Sequence, residues 1–394
     1  MSLLHPPLVG LPEDVDRLDS FTDTVFAHLQ RADQRRWGHA YLLGLLTVPG
    51  KKSVRRLAAA AMASPTAFQS LQQFVNASPW EWEPVRRELA RWTEARLSPR
   101  AWTVATTVAP KRGEHSCGVH RRFVPRQGQH VNGQMAVGLF MSDGSTAVPV
   151  DWRLHLPERW VHPDLRRRAR IPGDARSLPP WADAFEMADR LRQCHGVTPA
   201  PLVADMSDSR PAADLGRVLL RQRGEFVIAV PPALPVLPVG ASGRGPTQRP
   251  SSGGGRTVML SPSAGAVLDA RRGLLHGQRE GRALTCLARL PAATPGAWGQ
   301  NMFRLFADRC RPQRIYLTNM VHRRLSDLCA LTEHLGVTAA SVHELEEDFG
   351  LLDFEGRSYP GWHHYMTLMS AAHAYGRLAS TALPAHRALG RVSA

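Results

Sequence analysis

Lysine is nearly missing from this chain. Lys51, Lys52 and Lys111 are its only three, so the excess of 49 basic over 34 acidic residues, +15 in all, is carried almost entirely by arginine. Cysteine is sparse and widely spaced: Cys117, Cys194, Cys286, Cys310 and Cys329 form no C-x-x-C pair. That spacing excludes a zinc knuckle or a redox dithiol and leaves ordinary buried thiols. Long apolar runs are also missing. The stretches 41–48, 57–63 and 226–239 are short or broken by proline, so none is expected to cross a bilayer. Residues 1–14 carry prolines and acids where a secretory signal needs a basic start and an apolar core, so a cytoplasmic address is expected.

What is present is a hydrophobic fraction of 43% over 394 residues, enough for two or three cores. The positive balance points to a polyanionic partner, since guanidinium groups grip phosphate with a two-pronged fork. An arginine-rich source genome is the competing explanation of the same composition.

Apolar residues recur at three- and four-residue spacing from Phe21 to about Leu97, with breaks at Pro49-Gly50, Ser64-Pro65 and Ser78-Pro79. This predicts an all-helical N-terminal domain, 1–98, with serine before proline supplying helix caps. After Pro99 the pattern turns to strands at 102–108, 131–140 and 147–154. A helix at 181–194, a short apolar run at 202–204, a helix at 211–223 and a strand at 226–230 follow, an alternation that argues for an α/β sheet. Residues 231–255 are rich in Pro, Gly and Ser and read as a mobile loop; strands are expected at 257–259, 283–290 and 314–317, and helix from Leu325 onward.

Ordered motifs run through this framework. They are Tyr41-Leu-Leu-Gly-Leu-Leu46, Lys52-Ser53, Leu71-Gln-Gln-Phe74 with Ser78-Pro-Trp80, Pro110-Lys-Arg-Gly113 with His115-Ser116, and Asn132-Gly-Gln134. Asp151-Trp-Arg-Leu-His-Leu-Pro-Glu-Arg-Trp160, Gly350-Leu351, Phe354-Glu-Gly-Arg-Ser358 and Gly361-Trp-His-His364 continue the series. Together they resemble the DDE transposases of bacterial insertion sequences, from about Arg31 to Tyr375. The resemblance implies an α/β fold: an RNase-H-like mixed sheet with a β-rich insertion, preceded by the helical domain. It divides the chain into a DNA-binding domain at 1–98, an RNase-H-like domain at 99–230 and 325–380, and the insertion at 231–324.

The chemistry implied by the resemblance is phosphodiester hydrolysis and strand transfer with two Mg²⁺ ions about 4 Å apart, which need anionic oxygen ligands from separate elements. At the first carboxylate position this chain has Ala105 and Thr106; at the third, on the helix leading to Gly350, it has Ala339 between Thr338 and Ala340. The second is kept as Asp205, which also fits an aspartate closing a strand by an Asx-type turn. Asp208 and Ser209 read as helix caps before Pro211. His343 and Glu346 are conceivable relocated ligands, while Glu344, Glu346, Glu347 and Asp348 read more simply as a solvated acidic face.

The function expected is therefore a transposase-derived protein that binds double-stranded DNA without cleaving it, such as a transcriptional regulator. No cofactor is expected. The alternatives are an active nuclease with relocated Mg²⁺ ligands, or an enzyme acting on a small molecule in the former cleft. Arg31, Arg35, Arg36, Lys51, Lys52, Arg55 and Arg56 are close in sequence and form the candidate phosphate-binding face, with Arg357, His363 and His364 as a second cluster for DNA backbone contact or packing. A homodimer would match a palindromic site.

Overall fold

A computed structural model describes residues 12–61, 66–124, 128–231, 234–239, 278–280, 283–292, 299–308 and 314–379. Five helices come first: α1 (Pro12–Val25), α2 (Ala32–Thr47), α3 (Val54–Ala61), α4 (Ala67–Asn76) and α5 (Trp82–Leu97). The spacing rule explains α5, whose Val85, Leu89, Trp92 and Leu97 are buried on one side, and Ser98 ends it in the left-handed conformation before Pro99. Gly44 is required where α2 crosses α3, because a Cβ there would stand 3.0 Å from Leu57 Cβ and 3.2 Å from its carbonyl oxygen. The Ser78-Pro79 step does not cap a helix: α5 begins after Glu81 with no side-chain cap, and Ser78 Oγ accepts from Gln34 Nε2 instead. The Ser64-Pro65 step lies outside the described residues.

The sheet begins with β1 (Ala101–Pro110), β2 (His120–Val124), β3 (Gln129–Ser142) and β4 (Ala147–Leu154). After α6 (Pro163–Ala169) and α7 (Pro180–Arg192) come β5 (Leu202–Asp205), α8 (Ala212–Arg221) and β6 (Phe226–Ala229). β3 lies antiparallel to both β1 and β4, whereas β5 is parallel to both β1 and β6. The spatial order β4-β3-β1-β5-β6, two antiparallel steps and then two parallel ones, is the RNase-H-like sheet. β2 pairs with the first part of β3, on the same edge as β4.

The segment expected as a β-rich insertion extends this sheet. β11 (Tyr316–Thr318) adds antiparallel to β6, followed by β10 (Phe303–Asp308) and β9 (Ala283–Arg289), with β7 (Leu237–Val239) and β8 (Gln278–Glu280) beyond. Alternation carries both cores through these strands. Leu202, Phe226, Leu305 and Leu317 pack into one core, and Val203, Val227, Phe306 and Tyr316 into the other. β7 falls inside the stretch expected to be loop; 240–255 and the strand expected at 257–259 lie outside the described residues.

Two long helices finish the chain, α9 (Leu325–Glu347) and α10 (Tyr359–Leu378). α9 crosses β1 and β5 on one face of the sheet. α10 packs on β4 and also against α2, α4 and α5, so the N-terminal helices share a core with the sheet rather than standing apart at 1–98. Of the thiols, Cys117 and Cys194 are buried as expected, but Cys286 and Cys329 are only partly so, and Cys310 lies outside the described residues. Among the described residues no helix is long and apolar enough to cross a membrane.

Candidate functional site

The register of the sheet brings together Ala105 and Asp205, at the places expected for the first two carboxylates. Trp102 and Thr103 pair with Leu202 and Val203, so two residues further along Ala105 is level with Asp205. Side chains alternate along a strand. Thr103 Oγ1 lies 2.5 Å from Thr338 Oγ1 and Thr107 Oγ1 donates to Glu346 Oε1 at 3.3 Å, so Ala105, between them, faces α9. Val203 packs with Leu328 and Leu331 of α9, which puts Asp205 on the same face of the sheet. Ala339 lies on the stripe of α9 that contains Leu335 and Glu346, at spacings of four and seven residues. Thr106 alternates to the other face of β1.

Asp205 is already engaged. Its Oδ2 is 2.7 Å from Arg314 Nη2, and Oδ1 accepts from Ser207 N at 3.1 Å and Ser207 Oγ at 2.6 Å. The Asx-type turn is thus present, and a guanidinium from the stretch before β11 covers the other oxygen. Two divalent cations need several anionic oxygens. Ala105 and Ala339 offer none, and among the described residues no group of three or more His, Cys, Asp or Glu is arranged to hold a metal. The residues at this locus do not fit a metal pair. Of the two conceivable relocated ligands, His343 lines a different cleft with Ser145, Glu344 and Glu347, whereas Glu346 turns toward β1 and accepts from Thr107 Oγ1. Glu344 is also less solvated than expected, being held by Arg377 Nε at 2.8 Å, with His373 Nε2 at 3.6 Å. Asp208 and Ser209 do not cap α8, which begins after Pro211 with no side-chain cap.

The basic residues expected on one face separate into two groups. Arg31, Arg35 and Arg36 stand at the start of α2, and Lys51 to Arg56 follow its end, roughly 24 Å away at the helical rise. In the first group Arg31 is paired with Asp33 at 2.6 Å, Arg35 donates to Leu29 O at 2.5 Å, and the Arg36 guanidinium sits 4.9 Å from the Trp37 ring centre. In the second, Lys51 pairs with Glu355 at 2.8 Å, Arg55 lies over the Phe68 ring, and Arg56 donates to the carbonyls of Pro49 and Lys51.

Lys52 must be withdrawn as a phosphate ligand. It is 4% exposed, its ammonium donates to Leu45 O and Val48 O, and its backbone N–H donates to Asp353 Oδ2 at 2.7 Å. Burial pushes its pKa down to about 8. Gly350, at φ 74, lets the chain pass: a Cβ there would fall 2.6 Å from Lys52 Cγ.

A cleft of about 420 Å³ lies between α4 and the 353–358 loop, lined by Asn76, Arg170, Glu355, Arg357 and Ser358 among others; of the second group Lys52 alone is in its lining. Arg357 is exposed there, its carbonyl accepting from Cys117 N. Arg170 and Arg168 were not anticipated, although Arg166-Arg-Arg168 is visible as a charge run. Arg170, with φ 56, donates to Asn76 O and Ser358 Oγ, and Arg168 Nη2 lies 3.2 Å from His115 Nδ1. His363 and His364 make no contact with this surface. Both are buried, His363 stacked 4.6 Å from Trp82 and His364 3.9 Å from Trp80 while bridging the carbonyls of Val75 and Trp80. They serve packing.

Among solved structures the chain is similar to the one titled "Cryo-EM structure of piggyBac transposase synaptic complex with hairpin DNA", at 11% identity and a TM-score of 0.38, covering 95% of this chain and 74% of that one. The fold assignment rests on strand order and not on that likeness. No curated protein matches. A family model described as "DDE superfamily endonuclease" matches residues 24–272, well over half of the 394. The chain belongs to the DDE superfamily endonucleases.

Proposed function

We propose that this DDE-family protein binds double-stranded DNA, no longer cuts it, and acts as a regulator of neighbouring genes. The observation that carries the reading is the condition of Asp205, whose carboxylate is held by Arg314 and Ser207 while alanines stand at 105, level with it on β1, and at 339 on α9. Two-metal hydrolysis has no ligand set there. The cleft lined by Arg170 and Arg357, with Arg56 on the 49–56 segment as a further cation, keeps its use, because phosphate contacts supply affinity and register without any chemistry. No cofactor enters this reading, and a homodimer would serve a palindromic site.

The test uses the full chain in gel shifts with genomic fragments, including DNA upstream of its own gene, and in plasmid nicking with Mg²⁺ or Mn²⁺. Salt-sensitive retardation without nicking is expected, unchanged in Asp205→Ala. Arg357→Ala and Arg56→Ala should weaken binding evenly across sequences, each lowering the salt slope by about one. Metal-dependent nicking that vanishes in Asp205→Ala would restore the working endonuclease. Failure to retard any fragment at low salt would remove DNA binding.

A further inference from the structure

Beyond Pro110, the last residue of β1, the partner strands β2 and β3 continue outward as a two-stranded ribbon. Directly paired residues share a face. Arg121 with Asn132, and Phe123 with His130, therefore form one side of the ribbon. Phe123 is 49% exposed; with Leu287 it is one of two large apolar side chains left so open among the described residues. Its ring meets His130 edge-on at 5.4 Å, which leaves a flat face of the phenyl group in water. The same side of the ribbon looks toward the turn that carries Lys111 and Arg112: Asn132 Nδ2 donates to Gly113 O at 2.6 Å, and Lys111 N donates to Asn132 O at 2.8 Å. No acidic residue occurs in 120–124 or 128–133, while Arg121 and Arg112 are both exposed.

An exposed ring on an acid-free strand pair, with Arg121 two residues along the same side and Arg112 on the turn beside Asn132, next to Glu114, is a surface for stacking a base, because every base presents a π-face and its phosphates attract the guanidinium groups. An apolar protein partner would have no use for the flanking charge. We infer that the ribbon docks DNA at an unpaired or unstacked base, with Phe123 against the base and Arg121 and Arg112 on the adjoining phosphates. The inference rests on the DNA-binding reading above and adds to it a preference for distorted DNA, which that reading does not require.

Fluorescence anisotropy with the full chain decides it, using a perfect duplex and the same duplex with a short unpaired bulge. The bulged DNA should bind about tenfold tighter. Phe123→Ala, at an exposed position, should abolish the difference while duplex affinity stays constant, and Phe123→Trp should keep it, with indole emission quenched only by the bulged DNA. Equal discrimination by wild type and Phe123→Ala, or no discrimination by wild type, overturns the inference and leaves duplex binding standing. Absence of binding to either DNA overturns both.

Discussion

The same separation of 2.7 Å joins Arg86 to Asp151 and Arg314 to Asp205, yet the two pairs occupy opposite settings. Arg86 and Asp151 side chains are 5% and 20% exposed, whereas Arg314 and Asp205 are 42% and 29% exposed. Around Arg86 every donor has a target: Nε reaches Thr367 Oγ1, Nη1 also reaches Trp152 O, and Nη2 reaches His363 O. One guanidinium thus ties α5 to β4 and α10. Arg314 ties only the sheet edge before β11 to the end of β5. Distance does not measure what an ion pair contributes; desolvation and the number of satisfied partners do.

The comparison is tested hardest at Arg86. Arg86→Ala leaves Asp151 in a half-closed polar pocket and frees the carbonyls of Trp152 and His363, so a loss of about 3–5 kcal/mol is expected in urea unfolding. A loss under about 1 kcal/mol would erase the distinction between the two pairs.

Asp183 sharpens it next. Burial is the main cause that pushes its carboxyl from 3.8 up to about 7; Glu186 and Asp151 add to the rise while Arg153 and Arg176 oppose it. A group that binds its proton more tightly when folded contributes stability below its unfolded pKa and loses it as pH rises through the folded one. Stability from Asp183 is therefore full below about pH 4 and gone above about pH 7. Asp183→Asn imitates the protonated form, so the variant should gain on the order of 1–3 kcal/mol over wild type at alkaline pH and little at acid pH. Urea midpoints on both sides of that window measure the gain, and equal midpoints would place Asp183 in an environment as wet as that of Asp205.

Much of this architecture is legible in the sequence. Three- and four-residue spacing marks α2 and α4, strand-forming residues mark β1, β3 and β4, and β5 and β6 stand out as short apolar runs because both of their faces are buried. β2 was missed since His120-Arg-Arg-Phe-Val124 buries neither face fully and leaves no apolar pattern to read. The helical domain follows from local spacing and the β-rich insertion from the family resemblance, but α10 reaching α2, α4 and α5, and β11 joining β6, are contacts between segments distant in sequence. The site divided in the same way. The turn at Asp205 is local and was legible, while Arg314 arrives through antiparallel pairing across β6, and Lys52 looks like any exposed cation until its two carbonyl acceptors are seen.

The smallest effect expected lies in the cleft itself. Arg314→Ala removes a partly exposed partner whose carboxylate keeps Ser207 and gains water, so the loss should be about 1 kcal/mol or less. What matters more is the response to metal. A ligand that binds only the folded state raises Tm by an amount that grows with the logarithm of its concentration over Kd, and Asp205 without carboxylates at 105 and 339 to assist it gives Mn²⁺ little to hold. Tm should stay level with added Mn²⁺ in wild type, and also in Arg314→Ala, where the competing cation is gone. A rise in the variant alone would mean that Arg314 guards a latent metal position. A rise in wild type would mean that oxygens other than those at 105 and 339 complete the site, and the cleft would then have to be counted with the working endonucleases of its family.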